Sequence, residues 1–197
     1  MLVNDVELSG AVLDVEPNDQ GFIEGELKRS AMAFLAPRAL TISHGEEWER
    51  RRGFNESVLA SGDIEELRAP VLEAVSGEFR TRVGSVDETR ERMRAVMRRV
   101  VLGDTGKQET VIEIDQLMGV VRSPLRRILF GWRYRGRKRR FYGGLSDAYR
   151  SAAEPALAGR ARTVGTLPQP EALEQMPHWM FTFTGSGTDL LVRTMAL

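Results

Sequence analysis

The chain has no cysteine among its 197 residues. Disulfides, thiolate zinc clusters and thiol nucleophiles are therefore excluded within it. Histidine is nearly as scarce: His44 and His178 are the only two, and neither has a partner at metal-ligand spacing. No metal ligand is assigned. Net charge is also missing, with 28 cationic side chains against 28 anionic ones, so no global field draws the protein to nucleic acid or lipid. Long apolar runs are absent as well. The region 177–197 is interrupted by Thr, Gly, Ser and Asp and reads poorly as a membrane span. Met1 to Gly10 carries Asp5 and Glu7 and lacks the apolar core of a signal peptide. A cytoplasmic protein with no membrane partner is expected. There is no internal repeat and no low-complexity tract.

What is present is ordinary globular composition, 42% hydrophobic and 28% charged. That is enough for one domain with a real core, or for a piece of a larger one. Residues 2–15 alternate around Val and Leu, with Asn4-Asp5 and Ser9-Gly10 as turn signals, and predict one or two short strands. From about Gly25 the pattern predicts helix after helix. Ser43 and Glu46 fit a capping box opening a helix to about Ala60. Asp63 and Glu66 open a second, to about Val83. Ser85 and Glu88 repeat the box, and the helix they open buries Met93, Val96, Met97, Val100 and Val101 on one face until Gly103 stops it. Residues 111–130 and 137–159 predict two more helices. Thr163 to Pro170 is a loop, and a final helix starts near Glu171 or Pro177 and continues to the last residue.

Three constellations could carry chemistry. In the first, His44 to Arg52, Trp48 and Arg52 lie four apart and share a helix face. An indole donor beside a guanidinium suits a carboxylate, and the same residues also fit a solvated charged face anchored by one Trp. Arg50 and Arg51 each have a carboxylate four residues earlier, Glu46 and Glu47. The second is the apolar final segment, whose centre reads Thr184-Gly185-Ser186-Gly187-Thr188-Asp189. Each mid-helix Gly costs about 1 kcal/mol relative to Ala, so two within three residues need a reason. Close approach of a flat ligand and close helix packing both supply one. A dinucleotide loop does not, because G-x-G-x-x-G fails at Leu190 and no strand precedes it. The third is Arg122 to Arg140, with nine Lys or Arg and no acid. Trp132, Tyr134 and Phe141 are interleaved. This run fits RNA, an anionic surface, or a solvated face; nucleic acid is the less favoured partner.

In this order, the segments resemble bacterial cytochromes P-450. Phe34 to Arg52 looks like the entry to that family's C helix, whose W-x-x-x-R pair contacts the haem propionates and here falls on Trp48 and Arg52. Met97 to Gly103 is similar to the end of the E helix. Phe181 to Asp189 looks like the I helix, usually written A/G-G-x-D/E-T. Setting Ser186 to Leu190 on that motif keeps the glycine, Gly187, and the acid, Asp189, but puts Leu190 where threonine belongs. Setting Thr184 to Thr188 on it keeps glycine and threonine and loses the acid. The first register is preferred.

The resemblance spans about residues 30–197 and implies a mainly α, partial cytochrome P-450 fold, helices B to I, with little strand near the N-terminus. Residues 1–197 would form a single partial domain. It lacks the family's early N-terminal part, the E-x-x-R of the K helix and the F-x-x-G-x-x-x-C-x-G loop, and with them the C-terminal haem-ligand half. The implied cofactor is haem and the implied function is that of a truncated monooxygenase, inactive alone. The parent enzyme oxidises a small organic substrate with dioxygen, fed by an electron-transfer redox partner. Trp48, Arg52 and Gly187 would bind the cofactor, Thr188 and Asp189 would be catalytic, and Phe183 would face substrate. Arg50 and Arg51 would contribute a little to docking the electron donor. Two other classes stay open: a cysteine-free P-450-like partner or activator of another enzyme, and a helical nucleic-acid binder using Arg122 to Arg140.

Overall fold

The best local periodicity in the chain becomes a helix, Val86–Met97, that runs on into a π turn. The computed structural model describes residues 26–182, apart from 61–63, 122, 124, 126–127 and 130. The expected strands at 2–15 lie outside the described residues. In chain order the helices are α1 (Glu26–Leu35), α2 (Gly45–Ala60), α3 (Ile64–Glu78), α4 (Val86–Met97), α5 (Gln108–Val121), α6 (Arg135–Ser151), α7 (Leu157–Val164), α8 (Gln169–Leu173) and α9 (Met176–Thr182). Among the described residues there is no strand. The mainly α expectation stands at that level.

Half of the box at α4 forms: Ser85 Oγ accepts from the Glu88 amide at 3.1 Å. The Glu88 carboxylate turns back one residue further than expected, accepting from the Gly84 amide at 2.8 Å. Met93, Val96, Met97, Val100 and Val101 are all buried. After Met97 the backbone widens into a π turn, Arg98–Leu102, and Gly103 closes it at φ 79°, a conformation that favours glycine.

Elsewhere tertiary contacts override the local pattern. Ser43 does not cap α2: its hydroxyl donates to the Ala39 carbonyl at 2.7 Å and accepts from Arg51 Nη1 at 2.5 Å. The helix expected over 137–159 is two helices. α6 ends at Ser151, and α7 begins only after Pro155, which has no amide hydrogen to continue a helix. The loop expected from Thr163 begins two residues later, where Gly165 at φ 59° caps α7. α8 and α9 divide the start of the expected final helix.

The small residues of α7 set the packing. Ala158 and Ala161 are fully buried, and α7 touches α2, α6 and the π turn. α5 runs along α6, with Val111, Ile114 and Leu117 in one core with Phe141 and Leu145. The helices approach so closely at Gly144 that a Cβ there would fall 2.0 Å from Thr110 Oγ1. α2 joins that core through Phe54 and Val58, and α9 through Met176, Trp179 and Met180.

Candidate functional site: the outer pair and the buried polar seam of α2

The arginine run on α2 divides by direction. Arg52 points outward. Its guanidinium carbon lies 4.8 Å from the centroid of the Trp48 ring, and its Nε donates to Glu56 Oε1 at 2.7 Å with both side chains half exposed or more. The shared face expected of Trp48 and Arg52 is therefore formed. An exposed pair such as Arg52–Glu56 is worth little, so the guanidinium can exchange Glu56 for another anion at small cost.

Arg50 and Arg51 turn toward α8. Arg51 Nε donates to Glu171 Oε1 at 2.7 Å, with both side chains buried. Arg50 Nη1 and Nη2 hold the same carboxylate at 3.0 and 2.8 Å. Of the two acids expected from helical spacing, Glu47 pairs with Arg51 at 3.1 Å, whereas Arg50 reaches across the fold instead. Burial alone would push the Glu171 carboxyl up. The hydrogen bonds from Arg51 and Arg50 outweigh that and hold it below the usual carboxylate range. The small docking role implied for Arg51 is corrected here, because a buried side chain paired with Glu171 offers no outer surface to an electron donor.

Next to this pair, the Asn55 amide donates to the Arg51 carbonyl at 2.8 Å, and its Oδ1 accepts from Trp179 Nε1 at 2.7 Å. The Phe54 and Trp179 rings stack at 6.3 Å. Gln175 accepts from the Leu40 amide at 2.9 Å and donates to the Arg38 carbonyl at 2.7 Å. Glu174 takes the Arg38 amide at 2.6 Å and its Nη2 at 2.8 Å, and that hydrogen bond raises the Arg38 pKa further. Buried polar groups need partners, and these residues supply them for one another across about 120 residues of sequence. The seam fixes α2 against α8 and α9. In doing so it holds in place the helix that carries Trp48 and Arg52.

Sequence reasoning named Arg50 and Arg51 but missed Glu171, Glu174, Gln175 and Asn55. The one available signal was three amide- or carboxylate-bearing residues, at 171, 174 and 175, directly ahead of an apolar helix. Phe183, Gly187, Thr188 and Asp189 lie outside the described residues. His44 and His178 are both exposed, and among the described residues no cluster of three His, Cys, Asp or Glu could hold a metal ion. No helix of the described residues is long and apolar enough to cross a membrane. No protein-family model, curated protein or solved structure matches this chain.

Proposed function

We propose that this chain is part of a haem-thiolate monooxygenase of the cytochrome P-450 type, carrying the distal side of the haem pocket and inactive without the remainder. The observation that carries the reading is the contact between α2 and α9. Trp179 and Phe54 join the helix bearing Trp48 and Arg52 to the helix that leads into Phe183 to Asp189. Trp179 precedes Phe183 by four residues in the sequence.

The fit to haem is one-sided. Trp48 and Arg52 suit its carboxylate edge, since an indole N–H and a guanidinium are donors without acceptors. No residue of the chain can be the axial thiolate, because there is no cysteine. Bound haem supplies dioxygen activation, with a thiolate pushing electron density onto iron; no step through the iron is assigned to this chain. In this reading Arg52 leaves Glu56 for a propionate and Trp48 donates its indole hydrogen beside it. By the resemblance, Gly187 would allow close approach of the flat ring, Phe183 would serve the substrate side, and Asp189 with Thr188 would hold a proton for the oxygen site. A redox partner feeds the complete enzyme.

Haem titration followed by its absorbance tests the edge contact. Arg52→Gln and Trp48→Phe should each weaken binding, the first by about tenfold for a lost charged hydrogen bond. Identical titrations for wild type and both variants would contradict it. A second reading, a P-450-like partner or activator of another enzyme, is favoured by the seam around Arg51 and Glu171, which is satisfied within this chain. It predicts no haem uptake and a stable complex with a second protein.

A further inference from the structure

Four large apolar side chains stand in water within eight residues: Leu125 is 66% exposed, Ile128 81%, Leu129 53% and Trp132 68%. Their i, i+3, i+4 and i+7 spacing is that of one helical face; Leu125, Ile128 and Leu129 have helical backbone, and Trp132 follows in a 3-10 turn, Gly131–Tyr134. The flanking chain, Arg122 to Arg140, carries nine Lys or Arg and no acid. Part of this charge anchors the segment to the fold. Arg137 and Arg140 pair with Glu113 at 3.2 and 2.7 Å, and the half-buried Lys138 donates to the Phe34 carbonyl at 2.8 Å. Arg135 and Arg139 are exposed and form no ion pair among the described residues. Arg133 lies over the Trp132 ring at 5.9 Å.

We propose that the face formed by Leu125, Ile128, Leu129 and Trp132, with its surrounding arginines, docks on an anionic lipid surface. Exposed aliphatic side chains gain by entering the acyl boundary, Trp belongs at the headgroup level, and cations beside them are drawn to anionic lipid. Nucleic acid would reward the cations and Trp132 but not three exposed aliphatics. A second copy of the chain on the same face would set arginines against arginines. The expectation of no membrane partner rested on zero net charge and the lack of a spanning helix; a face that lies on the bilayer needs no span, and a local cluster of cations draws anionic lipid whatever the net charge. The proposal is independent of the haem reading.

The test is sedimentation of the full chain with vesicles of phosphatidylcholine alone and of phosphatidylcholine mixed with phosphatidylglycerol. Wild type should sediment with the mixed vesicles and not the neutral ones, and Trp132 emission should shift to the blue. Trp132→Phe should abolish that shift. Arg135→Gln with Arg139→Gln should weaken binding by about fivefold per charge. The triple variant Leu125→Gln, Ile128→Gln, Leu129→Gln should lose it while keeping its helical circular dichroism. No sedimentation of wild type would overturn the proposal, as would undiminished sedimentation of the triple variant. Retention of single-stranded RNA without vesicle binding would reassign the face to nucleic acid. A wild-type dimer dissolved by the triple variant, again without vesicle binding, would reassign it to self-association.

Discussion

Arg51 and Glu171 form a buried ion pair at 2.7 Å, joining the middle of α2 to the start of α8. Glu171 keeps a second cation, Arg50, and Arg51 also meets Glu47 and Ser43, but the contact between the two buried groups is theirs alone. Arg51→Met should therefore cost about 2–3 kcal/mol in urea unfolding, at or below the range for stranding one partner of a buried pair because Arg50 still holds Glu171. Arg52→Met, one residue on but exposed, should change stability by less than about 1 kcal/mol. Equal losses for the two variants would contradict the division of the arginine run.

The same pair predicts an acid limb. Glu171 has a folded pKa below its ordinary 4.5. Its contribution is therefore complete above that ordinary value and fades as pH falls through the lower, folded one. Unfolding free energy measured from neutral pH downward should drop across that window, and Glu171→Gln should flatten the drop. An unchanged slope in the variant would place the acid sensitivity elsewhere.

Trp179→Phe keeps the stack on Phe54 but removes the donor to Asn55 Oδ1. A buried acceptor left unpaired costs about 1–3 kcal/mol. Thermal unfolding should show the loss, and Asn55→Leu in the Trp179→Phe background should cost less than Asn55→Leu in the wild type. Strict additivity of the two substitutions would show that the hydrogen bond is not what couples them.

Gly144→Ala places a methyl group against Thr110 and should destabilise by about 1–3 kcal/mol, as overpacking does. Thr110→Ala removes the atom 2.0 Å from that methyl group and should recover part of the loss. A harmless Gly144→Ala would mean that α5 and α6 separate easily at this point.

What was legible in the sequence was local. The α4 periodicity and the Ser85 cap depend on neighbours within a turn or two, and both form, with the stretch from Arg98 to Leu102 widened into a π turn. Ser43 offered the same local signal and failed, because Arg51 and the Ala39 carbonyl take its hydroxyl. Pro155 carried the break between α6 and α7 in plain sight, but the apolar pattern across it reads as continuous. Of the candidate site, the side-by-side placement of Trp48 and Arg52 followed from helical spacing alone. The Glu171 partnership did not, since nothing within one helix reports a contact about 120 residues away.

The most direct measurement is the nucleotide sequence on both sides of the coding region for this chain. The account predicts, downstream in some frame, an E-x-x-R helix followed by a loop with a cysteine, the proximal half that complements Trp48 and Arg52. An unrelated gene downstream, with neither feature in any frame, would contradict it, and the haem-free partner reading would replace it.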